Sequence, residues 1–494
     1  MYGQATVGTT TLVGTEPAPV EVQVDVSSGL PGFSIVGLGD TAVLEARERV
    51  RSALRSTGFR FPNARVVVNL APGPLRKHGT GFDLPIALAV LAATGQIPAR
   101  LWMGRRAVGE LSLDGAVRPV PGMLAHALGA RRDRVVLLGP LESCHLAAGL
   151  PELEYRGISS LGRLTLEESA PRVRSSRPGT GPDPDLAEVS GLDTARRALE
   201  IAAAGGLNLL LIGPPGSGKT MLARRLGPIL PPLEGEERIE TALIHSVAGL
   251  DETPALSGSR PFRAPHHSAS LAGLVGGGSP PRPGEVSLAH NGVLFLDELP
   301  EFAPSALQSL RQPMEDGWVA LVRAEGRLRF PARFTLIAAA NPCPCGYLGD
   351  PVKVCRCPEA AVQRYQGRIG GPLMDRIDMA VTVERIDPAA LVRSSSAEPS
   401  ARVRARVCAA RRHARAAGRP LAARLSGAEL LAGCHFDALT RQTLGDLGRQ
   451  SHLSGRAVTR LMRVARTIAD LEESAVVTVD HVMEASAFRR EDLR

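Results

Sequence analysis

Aromatic residues and long apolar runs are scarce in this chain of 494 residues. Aromatic side chains make up 3 % of the sequence, whereas hydrophobic residues as a class make up 44 %. The chain can therefore build cores, but it offers little surface on which nucleic-acid bases could stack. No uninterrupted apolar stretch reaches the length of about 18 residues that indicates a membrane-spanning helix. The N-terminus carries no signal-peptide pattern, so we expect a cytoplasmic protein without a membrane partner.

Lysine is almost absent. Lys77, Lys219 and Lys353 are the only three, and arginine supplies the remainder of the 58 basic residues. The net charge of +8 permits contact with nucleic acid but does not demand it. A biased genomic base composition accounts for the preference for arginine. Lys219 is conspicuous because arginine did not take its place.

The seven cysteines are an odd number, which argues against a disulfide framework. Four of them lie in one loop rich in glycine and proline, with the pattern C-x-C-x9-C-x-C: Cys343, Cys345, Cys355 and Cys357. Four thiolates could close a tetrahedral zinc site, although the spacing differs from the common C-x2-C pair. Reduced structural thiols or redox-active thiols are the alternative.

Residues 213–220 read GPPGSGKT and match the phosphate-loop pattern G-x-x-x-x-G-K-[ST] at every fixed position. An apolar run precedes them and a helix-like segment follows. This strand–loop–helix setting lets backbone amides and a helix N-terminus face phosphate oxygens. Lys219 can reach the β- and γ-phosphates, and the Thr220 hydroxyl can bind Mg²⁺. The predicted nucleotide-binding residues are Gly213, Pro214, Pro215, Gly216, Ser217, Gly218, Lys219 and Thr220.

Two further apolar strands end in polar residues. The first ends in Asp297 and Glu298, where Asp297 would hold Mg²⁺ and Glu298 would polarise the attacking water. The second, residues 334–340, ends at Asn341, whose amide could orient that water or touch the γ-phosphate. The alternative for Asn341 is a turn-forming residue before Pro342.

Two arginines are candidates for stabilising charge on the γ-phosphate in the transition state. Arg376 lies in the segment GPLMDRID, and Arg456 opens a helical stretch in the segment SGR. An ordinary surface charge is the alternative for each. The adjacent pair His266 and His267 is predicted to make polar contacts in a loop rather than to bind a metal.

Composition and periodicity divide the chain into four segments. Residues 1–168 indicate an α/β domain, and 169–185 form a linker rich in proline, glycine, serine and arginine. Residues 186–387 alternate helices and strands, as a parallel sheet requires, and 388–494 indicate an all-helical end. Within the first segment the pattern predicts two strands, a buried helix and a hairpin: 21–26, 65–70, 82–95 and 109–118.

Two basic segments are candidates for contact with DNA. Residues 317–331 predict a β-hairpin with Arg323, Arg327 and Arg329, which could project into the pore of a ring and touch a phosphate backbone. A hairpin that packs between subunits is the alternative. Residues 401–419 are rich in arginine and would form either a solvated helix face or a strip facing DNA.

The succession GPPGSGKT, LFLDE, AAANPCPCG, GPLMDRID and SGR resembles AAA+ ATPases of the magnesium-chelatase-like group. The first segment adds GLPGFSIVGLGD, VNLAPGPLRKHGTGFDLPIAL and GELSLDGAVRPVPG, which resemble the YifB/ComM family. The resemblance covers nearly the whole chain. It implies an α/β fold with a Lon-protease-like domain (ribosomal S5 domain 2-like), a P-loop AAA+ parallel-sheet core and a C-terminal all-helical lid.

The same resemblance implies roles for the candidate residues. Residues 213–220 would be Walker A, Asp297 and Glu298 Walker B, Asn341 sensor 1, Arg376 the arginine finger and Arg456 sensor 2. ATP and Mg²⁺ would be the cofactors, and the chain would assemble into a ring, expected to be a hexamer. The resemblance to ComM-type members implies that DNA is the partner. It also implies branch-migration or helicase activity in recombination or natural transformation. A chelatase-type ATPase that remodels a partner protein, and a nucleotide-dependent scaffold, are the alternatives.

The sequence departs from two patterns that the resemblance brings with it. Lon-type proteases use a catalytic serine and a catalytic lysine. The serine position falls near Gly81 and the lysine position near Leu124, and neither glycine nor leucine can act as nucleophile or base. We therefore expect an inactive protease fold kept for assembly or DNA contact. The metal-adhesion loop D-x-S-x-S of the chelatase partner subunit is also missing.

Overall fold

The computed structural model describes residues 3–164, 184–323, 326–385 and 397–489. The predicted linker, 169–185, lies outside the described residues except for its last two positions. Within the described parts of the chain, no helix is both long and apolar enough to cross a membrane.

The first segment forms a seven-stranded mixed sheet with helices packed against it. The strands are β1 (Gln4–Val13), β2 (Glu16–Ser27), β3 (Gly32–Val36), β4 (Arg65–Ala71), β5 (Arg105–Ala107), β6 (Glu110–Leu111), β7 (Val117–Arg118), β8 (Val136–Pro140) and β9 (Tyr155–Ile158). The sheet order is β3-β4-β2-β1-β5-β8-β9, and β6 pairs with β7 in a separate hairpin. The helices are α1 (Thr41–Ser56), α2 (Asp83–Ala93), α3 (Met123–Arg132) and α4 (His145–Gly149).

All four elements that the sequence predicts in this segment are present. The predicted strands lie within β2 and β4, and the predicted helix is α2. Helix α2 is apolar on all faces and almost wholly buried, as expected of a helix in the centre of a core. The predicted hairpin is β6–β7, with Gly115 in its turn at a φ of 85°.

The second segment is built on a parallel sheet. The strands of this segment are β10 (Leu209–Ile212), β11 (Phe262–Arg263), β12 (Gly276–Gly277), β13 (Arg282–Pro283), β14 (Val293–Leu296), β15 (Trp318–Arg323), β16 (Gly326–Pro331), β17 (Thr335–Ala340) and β18 (Met379–Thr382). Five of them form the parallel sheet, in the order β11-β14-β17-β10-β18. Strands β10, β14 and β17 are buried at every position, which agrees with sequences that are apolar apart from Thr335. The helices are α5 (Asp193–Gly205), α6 (Lys219–Arg224), α7 (Leu226–Ile229), α8 (Gly235–Ala248), α9 (Thr253–Leu256), α10 (Leu271–Val275), α11 (Glu285–Leu288), α12 (Pro304–Ser309), α13 (Arg311–Asp316), α14 (Glu359–Gly367) and α15 (Gly371–Met374).

The described C-terminal residues are mainly helical and share a core with α5 and the sheet. A pair of two-residue strands, His435–Phe436 and Val476–Val477, interrupts the helices, so this end is not strictly all-helical as predicted. The helices are Ser400–Ala416, Gly427–Gly433, Ala438–Gln450, Gly455–Leu471 and Val479–Ala487.

The first segment packs directly on the second through α3 and α8. The Gly122 amide donates to the Ser246 carbonyl over 2.7 Å, and the Leu124 amide donates to the Ser246 hydroxyl over 3.2 Å. Leu124 belongs to one apolar cluster together with residues of the second segment such as Ala242. The two segments therefore share buried apolar surface.

Candidate nucleotide-binding site

The predicted phosphate loop connects the buried strand β10 to the helix α6. Gly216 and Gly218 adopt backbone φ values of 78° and 93°, which residues other than glycine rarely adopt. A Cβ at Gly213 would lie 2.2 Å from the Val383 carbonyl oxygen, so only glycine fits there. The loop therefore has the backbone conformation that its sequence predicts, with its amides at the N-terminus of α6.

Lys219 is 9 % exposed and folds back over the loop. Its ammonium donates to the carbonyl oxygens of Gly213 and Pro214 over 2.8 and 2.9 Å, and to Asn341 Oδ1 over 3.2 Å. Burial lowers the pKa of Lys219, while Asp297 and Glu298 act in the opposite direction. The cation is thus held among oxygens that a bound phosphate could replace.

The Thr220 hydroxyl donates to Asp297 Oδ2 over 2.7 Å. The two oxygens come from the helix after the phosphate loop and from the end of β14, so the fold brings together groups 77 positions apart. A hydroxyl and a carboxylate oxygen are ligands that Mg²⁺ accepts. These two residues fit the predicted metal position and would hold the ion against the β- and γ-phosphates.

Glu298 has a left-handed backbone, with φ 51° and ψ 49°. This conformation is costly for a residue with a Cβ, by about 1–3 kcal/mol, and such residues cluster at functional sites. The Glu298 amide donates to Asp297 Oδ1 over 3.0 Å. Its carboxylate is half-exposed and lies 3.5 Å from His267 Nδ1. The sequence predicted that His267 makes polar contacts in a loop, but it did not identify Glu298 as the partner.

Asn341 directly follows β17, and its amide oxygen accepts the hydrogen bond from Lys219. The structure therefore brings Lys219, Thr220, Asp297, Glu298 and Asn341 together at the carboxyl edge of the parallel sheet. Open α/β sheets place their ligands at this edge.

Arg376 and Arg456 lie at the opposite, amino edge of the same sheet. Arg376 forms an ion pair with Glu315, and Arg456 Nη1 lies 3.2 Å from Asp375 Oδ2. The four residues of β10 separate this edge from the phosphate loop, which at about 3.3 Å per residue amounts to about 13 Å. The two arginines are thus close to each other but remote from the phosphate loop of their own chain.

The two arginines line a cavity of about 700 Å³. Eight arginines and five carboxylates contribute to its wall. Burial raises the pKa of one of these carboxyl groups, Asp378, which pairs with Arg463 at 3.5 Å. Arg424 also lines the cavity and forms no ion pair with any residue that the structure describes. The cavity therefore has more arginines than carboxylates in its wall, and several of the arginines are paired.

Asn208, immediately before β10, makes hydrogen bonds to three neighbouring parts of this edge. The sequence did not predict a role for it. Its amide nitrogen donates to the Arg376 carbonyl over 2.9 Å, and its amide oxygen accepts from the Leu336 amide over 2.9 Å. Its own backbone amide donates to Asp378 Oδ2 over 2.9 Å. A single side chain thus links the backbone of Arg376 to the start of β17. An asparagine before a buried strand carries no signal of this in the sequence.

The four clustered cysteines meet in space as their spacing predicts. Their sulfur atoms all lie within 4.8 Å of one another, and three of the pairs are separated by 3.4–3.6 Å. Sulfur atoms around a tetrahedral zinc ion, with zinc–sulfur bonds of about 2.3 Å, are about 3.8 Å apart. A backbone hydrogen bond from Tyr347 is the main cause that lowers the pKa of Cys345 to about 6. The donor set and its dimensions fit a zinc ion.

The thiol loop lies against the phosphate loop. A Cβ at Gly346 would be 2.6 Å from Pro215 Cδ, and Gly346 has a φ of 84°. Cys343 is two positions after Asn341, so the loop also continues the strand β17. A displacement of the cysteine cluster would therefore also change the positions of Pro215 and Asn341.

The predicted basic hairpin consists of β15 and β16. The Arg329 and Arg327 guanidinium carbons lie 4.4 and 5.4 Å from the centre of the Trp318 ring. Both arginines are exposed, whereas the side chain of Arg323 lies outside the described residues. The hairpin therefore presents an aromatic ring between cations, which the low aromatic content did not suggest.

The second basic segment, 401–419, uses several of its arginines inside the fold. Arg406 pairs with Glu200 and Glu398, Arg411 donates to the Ala203 carbonyl, and Arg419 pairs with Asp470 at 2.7 Å. These partners satisfy hydrogen-bonding groups of the three side chains. This leaves fewer free cations for a DNA-facing strip than the sequence indicates.

The predicted protease positions lie in apolar surroundings. A Cβ at Gly81 would meet Val108 at 3.3 Å and Val120 at 3.5 Å, and Leu124 is fully buried. Lys77 is also buried and donates to the Pro72 carbonyl oxygen. None of these three residues offers a serine–lysine pair.

The phosphate loop follows β10, and the Asp-Glu pair follows β14, which is separated from β10 in the parallel sheet by β17 alone. This arrangement defines a P-loop ATPase fold of the AAA+ type. Comparisons with known families agree with this class. Three magnesium-chelatase family profiles match the chain: subunit ChlI at residues 185–391, a second ChlI profile at 22–138 and the ChlI C-terminal region at 397–489.

Full-length relatives define the family more closely. The chain is 44 % identical over 505 aligned positions to the protein YifB of Salmonella typhimurium, covering 99 % of this chain and 97 % of YifB. It is 42 % identical to YifB of Escherichia coli, with 98 % and 97 % covered. It is 39 % identical to the competence protein ComM of Haemophilus influenzae, with 97 % and 96 % covered. The chain belongs to the YifB/ComM family of magnesium-chelatase-like proteins, which supports ATPase activity, use of ATP and Mg²⁺, and assembly into a ring.

Proposed function

We propose that this protein is an ATP-hydrolysing ring motor that acts on DNA. The observation that carries the proposal is the division of the candidate site between two edges of one sheet. The phosphate loop and its carboxylates lie at one edge, and the two candidate arginines lie at the other. A complete site then requires two copies of the chain.

Hydrolysis would use the carboxyl-edge residues in separate roles. Lys219 would exchange its carbonyl partners for the β- and γ-phosphates, and Thr220 and Asp297 would hold Mg²⁺, which would supply positive charge beside the phosphate oxygens. Glu298, half-exposed at the end of β14, orients and polarises the attacking water, and Asn341 contacts the γ-phosphate.

The neighbouring copy would supply Arg376 and Arg456 to the γ-phosphate. Both arginines are paired with carboxylates of their own chain, Glu315 and Asp375. A phosphate of the adjacent nucleotide would take the place of these carboxylates. The assembly state we propose is a hexameric ring.

DNA is supported as the partner by the exposed basic hairpin β15–β16 and by the name of the competence relative. The proposed activity is helicase or branch-migration activity in recombination or natural transformation. Arg323, Arg327 and Arg329 would face the phosphate backbone in the pore of the ring, so binding would depend weakly on sequence and strongly on salt.

The proposal is tested by measuring the ATPase rate without DNA and with single-stranded, duplex and four-way-junction DNA at one salt concentration. We expect the rate to rise with DNA, and most with the junction if branch migration is the activity. Equal rates in all four samples, from protein that hydrolyses ATP, would remove DNA as the partner.

A second candidate function is a chelatase-type ATPase that remodels a protein during metal insertion. It is favoured by the three family profiles, which are all named after a magnesium-chelatase subunit. This function predicts stimulation by a protein partner and none by DNA. The same ATPase assay therefore separates the two.

We also propose that Cys343, Cys345, Cys355 and Cys357 bind one zinc ion per chain. The sulfur–sulfur distances and the set of four sulfur donors support a zinc site. The ion would stabilise the loop that leans on Pro215. Metal analysis of purified protein tests this, and protein with no zinc and full activity would leave the four residues as plain thiols.

A further inference from the structure

A second cavity, of about 590 Å³, lies between the first and second segments of the chain. The first segment contributes residues from the end of β1, from 74–82 and from the region before α3. The second segment contributes Val247, Pro280, Pro281, Arg282 and Leu328. Its volume falls within the range of about 300–1,000 Å³ that is typical of small-molecule sites.

Most of the wall is apolar. Phe82 and Val120 are buried side chains of the first segment, and Leu328 reaches the cavity from the basic hairpin. Leu12, next to the docking contact of α3 on α8, adds a further apolar surface. A ligand that fills this space would bury apolar surface of its own, which is the main favourable term for such sites.

His126 provides a buried polar group in this wall. It is 6 % exposed, and its Nδ1 lies 2.6 Å from the Thr10 hydroxyl, which is also buried. Its other ring nitrogen, Nε2, has no hydrogen-bond partner among the described residues. Burial lowers the pKa of His126 to about 4, so the ring is neutral at neutral pH. A neutral ring leaves one hydrogen-bonding nitrogen for a ligand.

The charge of the wall has one sign. Arg76 and Arg282 contribute guanidinium groups, and none of the described residues that line the cavity is acidic. Arg282 is exposed and forms no ion pair with any residue that the structure describes. In this respect Arg282 differs from several arginines of the cavity at the amino edge of the ATPase sheet, which pair with carboxylates. Arg282 therefore offers a cation to an anionic group of a ligand.

We propose that the interdomain cavity binds an organic anion with an apolar body. The apolar body would lie against Phe82, Val120 and Leu328, the anionic group would meet Arg282, and His126 would form a hydrogen bond with a polar atom of the ligand. Because both segments form the wall, an occupied cavity would favour the docked arrangement of the first segment on the ATPase core and on its hairpin.

The probe is 8-anilinonaphthalene-1-sulfonate, an apolar body with one negative charge, titrated into the intact chain and followed by fluorescence. We expect saturable binding at one site per chain, competition by decanoate, and no competition by inorganic phosphate. Val120→Trp fills the cavity and should abolish binding. The matched control is Leu30→Ser, which removes an apolar side chain that is 91 % exposed elsewhere in the first segment and should change nothing.

Two further substitutions test the polar contacts. Arg282→Gln should weaken binding by roughly 10-fold or more, since hydrogen bonds to charged groups contribute about 1.5–3 kcal/mol. Arg412→Gln, at another exposed arginine, is the control. His126→Asn can keep the contact with Thr10 but cannot reach the ligand, so it should weaken binding by roughly 3–10-fold, whereas His126→Gln should weaken it less.

Circular dichroism and thermal unfolding of each variant show that it is folded. The absence of saturable binding to the unmodified chain overturns the proposal. Equal affinity in the Val120→Trp and unmodified proteins also overturns it, because the dye then binds elsewhere. Equal competition by phosphate and decanoate would contradict the claim that an apolar body is needed for binding. None of these measurements needs ATP hydrolysis, so they stand apart from the proposed motor function.

Discussion

Replacing Asn208 by alanine should damage the site of the neighbouring copy and spare the phosphate loop of its own chain. Asn208 contacts the Arg376 carbonyl, but its side chain contacts no residue of the loop 213–220 among the described hydrogen bonds. The substitution removes the hydrogen bonds to Arg376 and Leu336. At about 0.5–1.5 kcal/mol each, their loss should lower the free energy of unfolding by about 1–3 kcal/mol.

The effect on hydrolysis follows from the position of Arg376. An arginine that reaches the γ-phosphate in trans accelerates hydrolysis by about 10³–10⁵-fold, and a displacement of about 1 Å can cost about 10²-fold. We therefore expect kcat to fall roughly 10–100-fold, while the Kd for ATP changes less than about twofold. Asn69→Ala is the control, because it removes an asparagine side chain that donates over 2.9 Å to Gln23, far from the site.

Mixed assemblies separate this role from a general structural one. Lys219→Ala with Arg376→Ala is the reference, in which each chain supplies what the other lacks and activity should partly return. Asn208→Ala with Lys219→Ala should also regain activity, because the Lys219→Ala chain supplies a correctly held Arg376. Asn208→Ala with Arg376→Ala should not.

The opposite pattern would refute the reasoning. If Asn208→Ala is rescued by Arg376→Ala and not by Lys219→Ala, the residue acts on its own phosphate loop. If the reference pair fails in rings shown to be mixed, the transfer of Arg376 between copies is itself wrong, and the role of Asn208 is not the cause.

The remaining predictions concern the site, the hairpin, the thiols and the first segment. Lys219→Ala should abolish ATP binding, whereas Glu298→Gln should keep binding and stop turnover; normal turnover by Glu298→Gln would show that another group polarises the water. Arg327→Ala with Arg329→Ala should lower the salt dependence of DNA binding by roughly 0.7–0.9 per lost phosphate contact in a log–log plot, with basal hydrolysis unchanged; an unchanged slope would contradict contact with the backbone. Cys345→Ala should reduce bound zinc from about one per chain and weaken ATP binding, and a zinc-free variant with unchanged nucleotide affinity would uncouple the thiol loop from the phosphate loop. Purified protein should cleave neither casein nor peptides, and reproducible cleavage that follows the protein through purification would overturn the expectation of an inactive protease fold.

Local chemistry explains which features the sequence predicted well. The glycines of the phosphate loop have to adopt backbone conformations that other residues avoid, so the motif reports its own geometry. The strands β10, β14 and β17 are buried at every position and apolar apart from Thr335, so the polar residues that follow β14 and β17, Asp297 and Asn341, stand out in the sequence. The four cysteines sit close together along the chain, and short loops can bring such residues into contact.

The features that the sequence did not predict depend on how distant elements pack. The separation of Arg376 and Arg456 from the phosphate loop follows from the direction of parallel strands, which no single motif encodes. Arg406, Arg411 and Arg419 carry the same charge as free surface arginines, and only the packed helices show that their partners are inside the fold. Nothing in the sequence indicates the neighbours of Trp318, and pairing of β15 with β16 places its ring beside Arg329.

The contact of α3 with α8 affects how the chain can be taken apart in the laboratory. The apolar cluster that contains Leu124 and Ala242 contains residues from both sides of the predicted linker. Producing the second segment without the first would expose its half of this cluster to water, at a cost of roughly 25 cal/mol for each Å² of apolar surface. The isolated ATPase segment should then be prone to aggregate, and its loss of activity would say little about the first segment. Single substitutions in the intact chain are the safer way to separate the contributions of the first segment and the ATPase segment.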